Sequence, residues 1–179
     1  WITNGANATG GTVTLVSNTV VQGLVYQKMS TNSATTRLQL GGNVLTVESG
    51  AVLSMGNTSG SGHEIRRTGT GGLTFGNANN GYEAVFHTTR RLDVYAPIYD
   101  NIDALGNTNS VTLIKSGTSE LVMRADGGGA STYSGDTYVN AGTLRMEGTN
   151  ASSHTTASVI PKTTFLHIND RDATFDLYN

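Results

Sequence analysis

The chain has 179 residues and a net charge of −2, from 11 lysines and arginines against 13 aspartates and glutamates. Charged residues are only 13% of it, about half the usual share, and no basic stripe is present, which excludes a nucleic-acid surface built on phosphate contacts. It has no cysteine, which excludes a disulfide scaffold and a thiolate metal site.

Thr, Ser, Asn and 23 glycines take the place of the missing charge. This mixture disfavours helices, because β-branched residues are stiff at χ1 and Ser and Asn compete for backbone hydrogen bonds. It suits short strands and tight turns. Apolar residues still make up 36% of the chain, enough to offset the entropy of ordering. No apolar run approaches the roughly 18 residues of a membrane span. The chain starts at Trp1, so a processed protein or a piece of a longer one is expected.

From the N-terminus, pairs of apolar residues separated by one other residue recur: Val13/Leu15, Leu24/Tyr26, Leu38/Leu40, Leu45/Val47, Leu53/Met55 and Leu73/Phe75. They continue as Leu92/Val94, Val111/Leu113, Leu121/Met123, Leu144/Met146, Leu166/Ile168 and Phe175/Leu177. A period of two marks strands with one buried face. Gly/Asn/Ser clusters such as Gly41-Gly42-Asn43, Gly69 to Gly72 and Ala141-Gly142 separate the pairs as turns. The segment 150–158 lacks an apolar stripe and is expected to be a loop.

Two spacings recur: 19 or 20 residues from Leu53 through Val111, and 22 or 23 from Leu121 through Leu166. A period near twenty predicts one coil of a β-helix per repeat. Asn-Gly hairpin dipeptides occur only at Asn4-Gly5 and Asn80-Gly81, neither between two alternating runs, which argues against a sandwich. The expected fold is all-β: a right-handed parallel β-helix, a single solenoid domain over residues 1–179. Leu121, Met123, Val139, Leu144, Met146, Leu166 and Ile168 should face inward, and Arg145 should be an exposed surface arginine. Arg66-Arg67 and Arg90-Arg91 are expected to be isolated, solvated pairs.

The stretch from Val111 to Gly148 carries Leu113, Lys115 and Gly117, then Thr132, Tyr133, Gly135, Thr137, Val139, Asn140, Ala141, Gly142, Thr143 and Leu144. It resembles the autotransporter-associated β-strand repeat of bacterial secreted passenger proteins. The match is tight over 111–148 and looser over most of the remaining chain. Thr118-Ser119-Glu120 and the insertion-like segment 125–131 depart from the pattern. The resemblance implies a β-helical passenger module, extracellular or on the bacterial cell surface. No outer-membrane barrel segment is present in the chain, so a passenger segment rather than a whole autotransporter is expected. Without the family, Tyr133 is expected to lie along a coil with its hydroxyl on a polar partner. Gly135 and Gly142 should turn corners, and Asn140 should satisfy turn backbone or join an asparagine ladder.

Chemistry is sparse in the sequence. His63, His87, His154 and His167 show no metal-ligand spacing. No serine sits in a nucleophile elbow, and Gly127-Gly128-Gly129 precedes no Lys-Ser/Thr. Asp170, Asp172 and Asp176 form a weak calcium or catalytic candidate, the first two as turn residues and Asp176 pointing outward. Asp93, Tyr95, Tyr99, Asp100 and Asp103 form a candidate sugar groove. Asn7, Asn57 and Asn150 begin glycosylation-type triplets. The reading is a structural module rather than an enzyme: a self-assembling fibre subunit, or a stalk segment of a surface adhesin. The alternative is a carbohydrate-binding or polysaccharide-cleaving β-helix. No cofactor, metal or nucleic acid is expected. The expected partners are further copies joined head to tail through Val13, Leu15, Phe175 and Leu177, or neighbouring coils of a longer chain; host or matrix glycans come second.

Overall fold

The computed structural model describes residues 2–4, 11–28, 35–56, 62–124, 129–147 and 159–178. The glycosylation-type triplets at Asn7, Asn57 and Asn150, the loop 125–128, the segment 150–158 and His154 lie outside these residues. Among the described residues every regular element is a strand.

The strands stack in parallel into a β-solenoid with three faces. The first face holds β1 (Ile2–Asn4), β4 (Leu24–Lys28), β7 (Ala51–Gly56), β10 (Glu83–Thr88), β14 (Thr112–Ser116), β16 (Thr137–Val139) and β18 (Leu166–Ile168). The second holds β2 (Thr12–Thr14), β5 (Thr36–Gln39), β8 (His63–Arg66), β11 (Leu92–Val94), β15 (Glu120–Arg124), β17 (Thr143–Glu147) and β19 (Thr174–Tyr178). The third begins with β3 (Thr19–Val21), β6 (Val44–Val47) and β9 (Gly72–Phe75). It continues as single contacts, a Leu73–Ile98 bridge and a Thr132 amide donating to the Ile98 carbonyl.

Parallel pairing places residues of successive coils directly above one another, so alternation in one coil is copied into the next. Leu38, Ile65, Val94, Met123 and Met146 form one such inward column. Tyr26, Phe75, Phe86 and Tyr133 are fully buried between the faces, and Phe75 meets Phe86 edge to face at 5.5 Å.

The coil is longer than the sequence spacing suggested. Stacked partners range from about 23 residues apart, Met123 over Met146, to about 34, Val52 beside Phe86. The step of 19 or 20 from Leu53 to Leu73 to Leu92 runs from face to face around the perimeter. It does not run up the stack.

Leu53/Met55 also has the wrong phase. Val52 and Ser54 turn inward, while Leu53 and Met55 are half-buried on the outside. The Ser54 hydroxyl is satisfied by donating to the Arg90 carbonyl at 2.9 Å, so a polar residue could take the inward position.

Leu166 and Ile168 have the expected phase, opposite the buried Thr137 and Val139. They are nevertheless 38% and 51% exposed, because no described coil covers them. Val13, opposite Leu38, is likewise half open at the other end.

One antiparallel pair interrupts the parallel stack: β12 (Asn101–Ile102) with β13 (Thr108–Asn109). No hairpin was expected here, since the turn runs Asp103-Ala104-Leu105-Gly106, closed by the Gly106 amide on the Asp103 carbonyl, with no Asn-Gly or Asp-Gly dipeptide. Gly106 supplies the positive φ. Asp103 organises the turn, its Oδ1 accepting from the Leu105 and Asn107 amides, and the Asn107 side chain holds its carboxyl below the ordinary range.

The open end separates two leucine-class truncations. Leu144→Ala, wholly buried between coils, should lose about 2–5 kcal/mol, as a cavity-forming substitution does. Ile168→Ala should lose under about 1 kcal/mol, because half of that side chain is already in water. Urea unfolding of both variants measures the difference.

Candidate functional site

Three outer features of the solenoid carry polar chemistry: one corner, the second face, and the surroundings of the hairpin. The corner belongs to the segment around Lys115. Leu113 and Lys115 both have inward phase, and Lys115 is wholly buried. Its Nζ donates to the carbonyls of Ser116 at 2.8 Å, Gly117 at 2.7 Å and Ala141 at 2.8 Å. Two of these carbonyls belong to its own corner and the third to the next coil, so one ammonium pins two coils together. The corners pack too closely for side chains. Gly117 and Gly142 have φ of 76° and 67°, and a Cβ on either would lie 2.5 Å from a carbonyl oxygen of the coil below. Burial pulls the Lys115 ammonium down from 10.5 to about 8. Downstream, the Tyr133 hydroxyl meets Thr137 Oγ1 at 2.7 Å, and Asn169 donates to Asn140 Oδ1 at 2.7 Å, a two-rung asparagine ladder.

The second face carries a ladder of ion pairs along its outer surface. Outward positions alternate with the buried column, and parallel register lines them up as Arg37, Glu64, Asp93, Val122, Arg145 and Asp176. Arg37 and Arg66 both reach Glu64 Oε2 at 2.7 Å. Burial alone would raise that carboxyl, but the Arg66 and Arg37 hydrogen bonds outweigh it and hold it below its ordinary value. Arg91 meets Asp93 at 2.8 Å and Glu120 at 3.3 Å, while Arg124 meets Asp93 at 3.1 Å and pairs with Glu147. Arg145 pairs with Asp176 at 2.7 Å and Glu120 at 3.1 Å. Arg66 also lies over the Tyr95 ring, 4.0 Å from its centroid.

Arg145 is therefore part of a network and is not a free surface charge. Arg66 and Arg91 are likewise paired, and Arg90 is buried, where solvated pairs were expected. The sequence signal was present but unused: Glu64, Asp93, Arg145 and Asp176 sit one residue from inward positions on neighbouring coils.

The structure separates the five candidate sugar-groove residues. Asp93 and Tyr95 lie in the ion-pair ladder, lining a shallow depression of about 360 Å³ with Glu64, Arg91 and Arg124. Tyr99 and Asp100 line a groove of about 550 Å³ beside the hairpin. Asp103 lies in the hairpin itself and borders a second hollow of about 410 Å³. Asp170 forms a turn with Asp172, and Asp176 faces Arg145. Among the described residues no group of three His, Asp or Glu side chains could hold a metal ion. Of the four candidate assembly residues, Val13 and Leu177 are 47% and 66% exposed, and Leu15 and Phe175 are half-buried.

Parallel coils stacked over a buried apolar column, with a buried lysine bridging one corner, define a β-solenoid. Residues 113–146 match the family of the passenger-associated-transport-repeat, so this stretch and the fold around it agree with an autotransporter passenger repeat. Comparison with curated proteins and with solved structures finds no match. The matched stretch contains Lys115, Gly117 and Gly142, so the repeat encloses the corner just described.

Lys115→Met should cost about 1–3 kcal/mol, since it strands three buried carbonyls. The pH profile carries the same residue's signature. Below about pH 8 the lysine is protonated folded and unfolded; above it the folded chain releases the proton while the unfolded chain keeps it up to 10.5. The unfolded state then binds more protons, so stability rises with pH. The rise should end near pH 10, because burial raises the Tyr26 and Tyr133 phenols and the unfolded chain ionises there first. Urea midpoints between pH 7 and 11 test this, with the rise absent in Lys115→Met. Arg145→Ala should cost about 1 kcal/mol in low salt and less in 1 M salt, where the ladder is screened. An equal loss in both salts would count against the ladder.

Proposed function

We propose that this chain is an extracellular structural module of a bacterial passenger protein, a stalk-type solenoid whose open coils seat further coils end to end. The observation that carries this reading is the C-terminal coil. Leu166, Ile168 and Leu177 keep the inward phase of the core below them, yet stand 38%, 51% and 66% exposed. β18 and β19 are the last strands of their sheets, so their outer edges have no neighbour among the described strands. A parallel coil laid there would find both a hydrogen-bond ladder and apolar side chains in register.

The magnitudes favour such stacking. Ladder bonds contribute roughly 1 kcal/mol each and buried apolar side chains roughly 1.5–3 kcal/mol each. Together they can exceed an association cost of about 4–15 kcal/mol. The same surface serves a following coil of a longer chain without that cost. The contact is heterologous, so repeated addition gives a filament. Resemblance to a passenger repeat supports a location outside the cell.

Sedimentation over a wide concentration range tests the proposal. The wild-type chain should associate as concentration rises, and electron microscopy should show rods of uniform width. Ile168→Lys/Leu177→Lys should remain monomeric with an unchanged circular dichroism spectrum. A wild-type chain that stays monomeric at millimolar concentration would rule out end-to-end self-assembly.

A further inference from the structure

The groove beside the hairpin has no role in stacking coils, and it is built with more care than a surface irregularity requires. Its wall is the hairpin β12–β13, inserted between Ile98 on the third face and β14 on the first. The insertion is clamped in place. Asn101 is buried, and its side-chain amide donates to the Phe75 and Gly76 carbonyls at 3.2 and 3.0 Å. Asp103 holds the turn through the Asn107 side chain and two amides. The wall is thus fixed before any ligand arrives, which lowers the entropy cost of binding.

The floor is the outer surface of the third face, where Thr46 and Thr74 are neighbours in parallel register. Tyr99 lies against this surface directly over Gly72. A Cβ on Gly72 would sit 2.3 Å from Tyr99 Cε2, so the missing side chain makes the berth for the ring. The Tyr99 hydroxyl donates to the Thr70 carbonyl at 3.4 Å. Asp100 is held through Oδ1 by the Val111 amide at 2.8 Å and the Ser134 amide at 2.9 Å. Thr74 is 8% exposed, and its hydroxyl has no hydrogen-bond partner among the described residues. A buried hydroxyl left unsatisfied is costly, and Thr74 borders both the groove and the adjoining hollow.

We propose that this groove binds a neutral glycan chain, with Tyr99 as the platform for a sugar ring and Asp100, Thr74 and Thr46 as partners for its hydroxyls. The lining selects that chemistry. Among the described residues it contains no Lys, Arg or His to attract a phosphate, sulfate or uronate, and the one carboxylate among them repels such groups. Its floor is a sheet face and not a sheet edge, so a peptide strand finds no backbone ladder there. A sugar ring offers polarised C–H bonds on its flat side, which suit the negative face of an aromatic ring, and hydroxyls around its rim. The groove's about 550 Å³ lies within the range of small-ligand sites and holds a short oligosaccharide. This goes beyond the structural role proposed above and does not depend on end-to-end assembly.

The experiment is calorimetric titration of the wild-type chain and of Ile168→Lys/Leu177→Lys with neutral trisaccharides of glucose, galactose, mannose and N-acetylglucosamine. A sulfated disaccharide and an extended apolar peptide serve as the contrasting arms. At least one neutral sugar should bind both chains equally. Tyr99→Ala and Thr46→Trp should each weaken that binding at least about tenfold, and Tyr99→Phe should retain it. Gly72→Ala should also weaken it by displacing the ring. Absence of binding by every neutral sugar would overturn the proposal, as would binding that survives both Tyr99→Ala and Thr46→Trp. Preference for the sulfated sugar or the peptide would overturn it equally. Loss of assembly in the lysine variant with sugar binding intact separates this result from the fate of the stacking proposal.

Discussion

Parallel strand pairing between successive coils is the constraint from which the rest of this structure follows. Because it is parallel and in register, each residue is judged against the residues directly above and below it. An inward position must be filled by a group that packs against its own column, and an outward position meets the outward groups of its neighbours. Leu38, Ile65, Val94, Met123 and Met146 meet the first demand. Arg37 over Glu64 meets the second by opposite charge, while Glu64 and Asp93, stacked acid on acid, are compensated from flanking positions by Arg66, Arg91 and Arg124.

The corners set the second limit. A solenoid turns by bending its backbone sharply, and stacked bends bring carbonyl oxygens of adjacent coils close together. Gly117 and Gly142 remove the side chains that would collide, and Lys115 supplies a cation to the oxygens that crowd there. A buried charge is normally expensive, but three carbonyl acceptors replace the water it gives up. The lysine at an inward position of the repeat is thus the electrostatic counterpart of its glycines, and the two belong to one device.

The strands and the repeat were legible in the sequence, while the coil length and much of the surface were not. Alternating apolar pairs announced most of the strands, though not β3, β8 or β10, because period two is a local property. The length of a coil is not local. Leu53, Leu73 and Leu92 stand on three different faces, so their even spacing measured the perimeter and was mistaken for the stack. Leu53/Met55 misled because Val52 and Ser54 alternate equally well, and only the carbonyl of Arg90 makes a buried serine acceptable. Of the five residues expected to form one sugar groove, the structure keeps Tyr99 and Asp100 together. Asp93 and Tyr95, near in sequence, were drawn into the ion-pair ladder by partners roughly thirty residues away. Burial of Thr74 and the clearance over Gly72 depend on contacts across coils, and no sequence pattern reports them.

The hairpin at Asn101–Asn109 has a consequence for how such a chain can change over time. It leaves the stack after Ile98 and returns before β14, and the coils on either side still pair in register. Closing a longer excursion between the same two points costs little, since loop entropy grows only with the logarithm of length. The spine therefore tolerates additions at this seam whose size and chemistry it does not constrain. A scaffold of this kind separates inheritance of shape from inheritance of specificity: coils are held fixed by their neighbours, and whatever is threaded out between them is free to diversify.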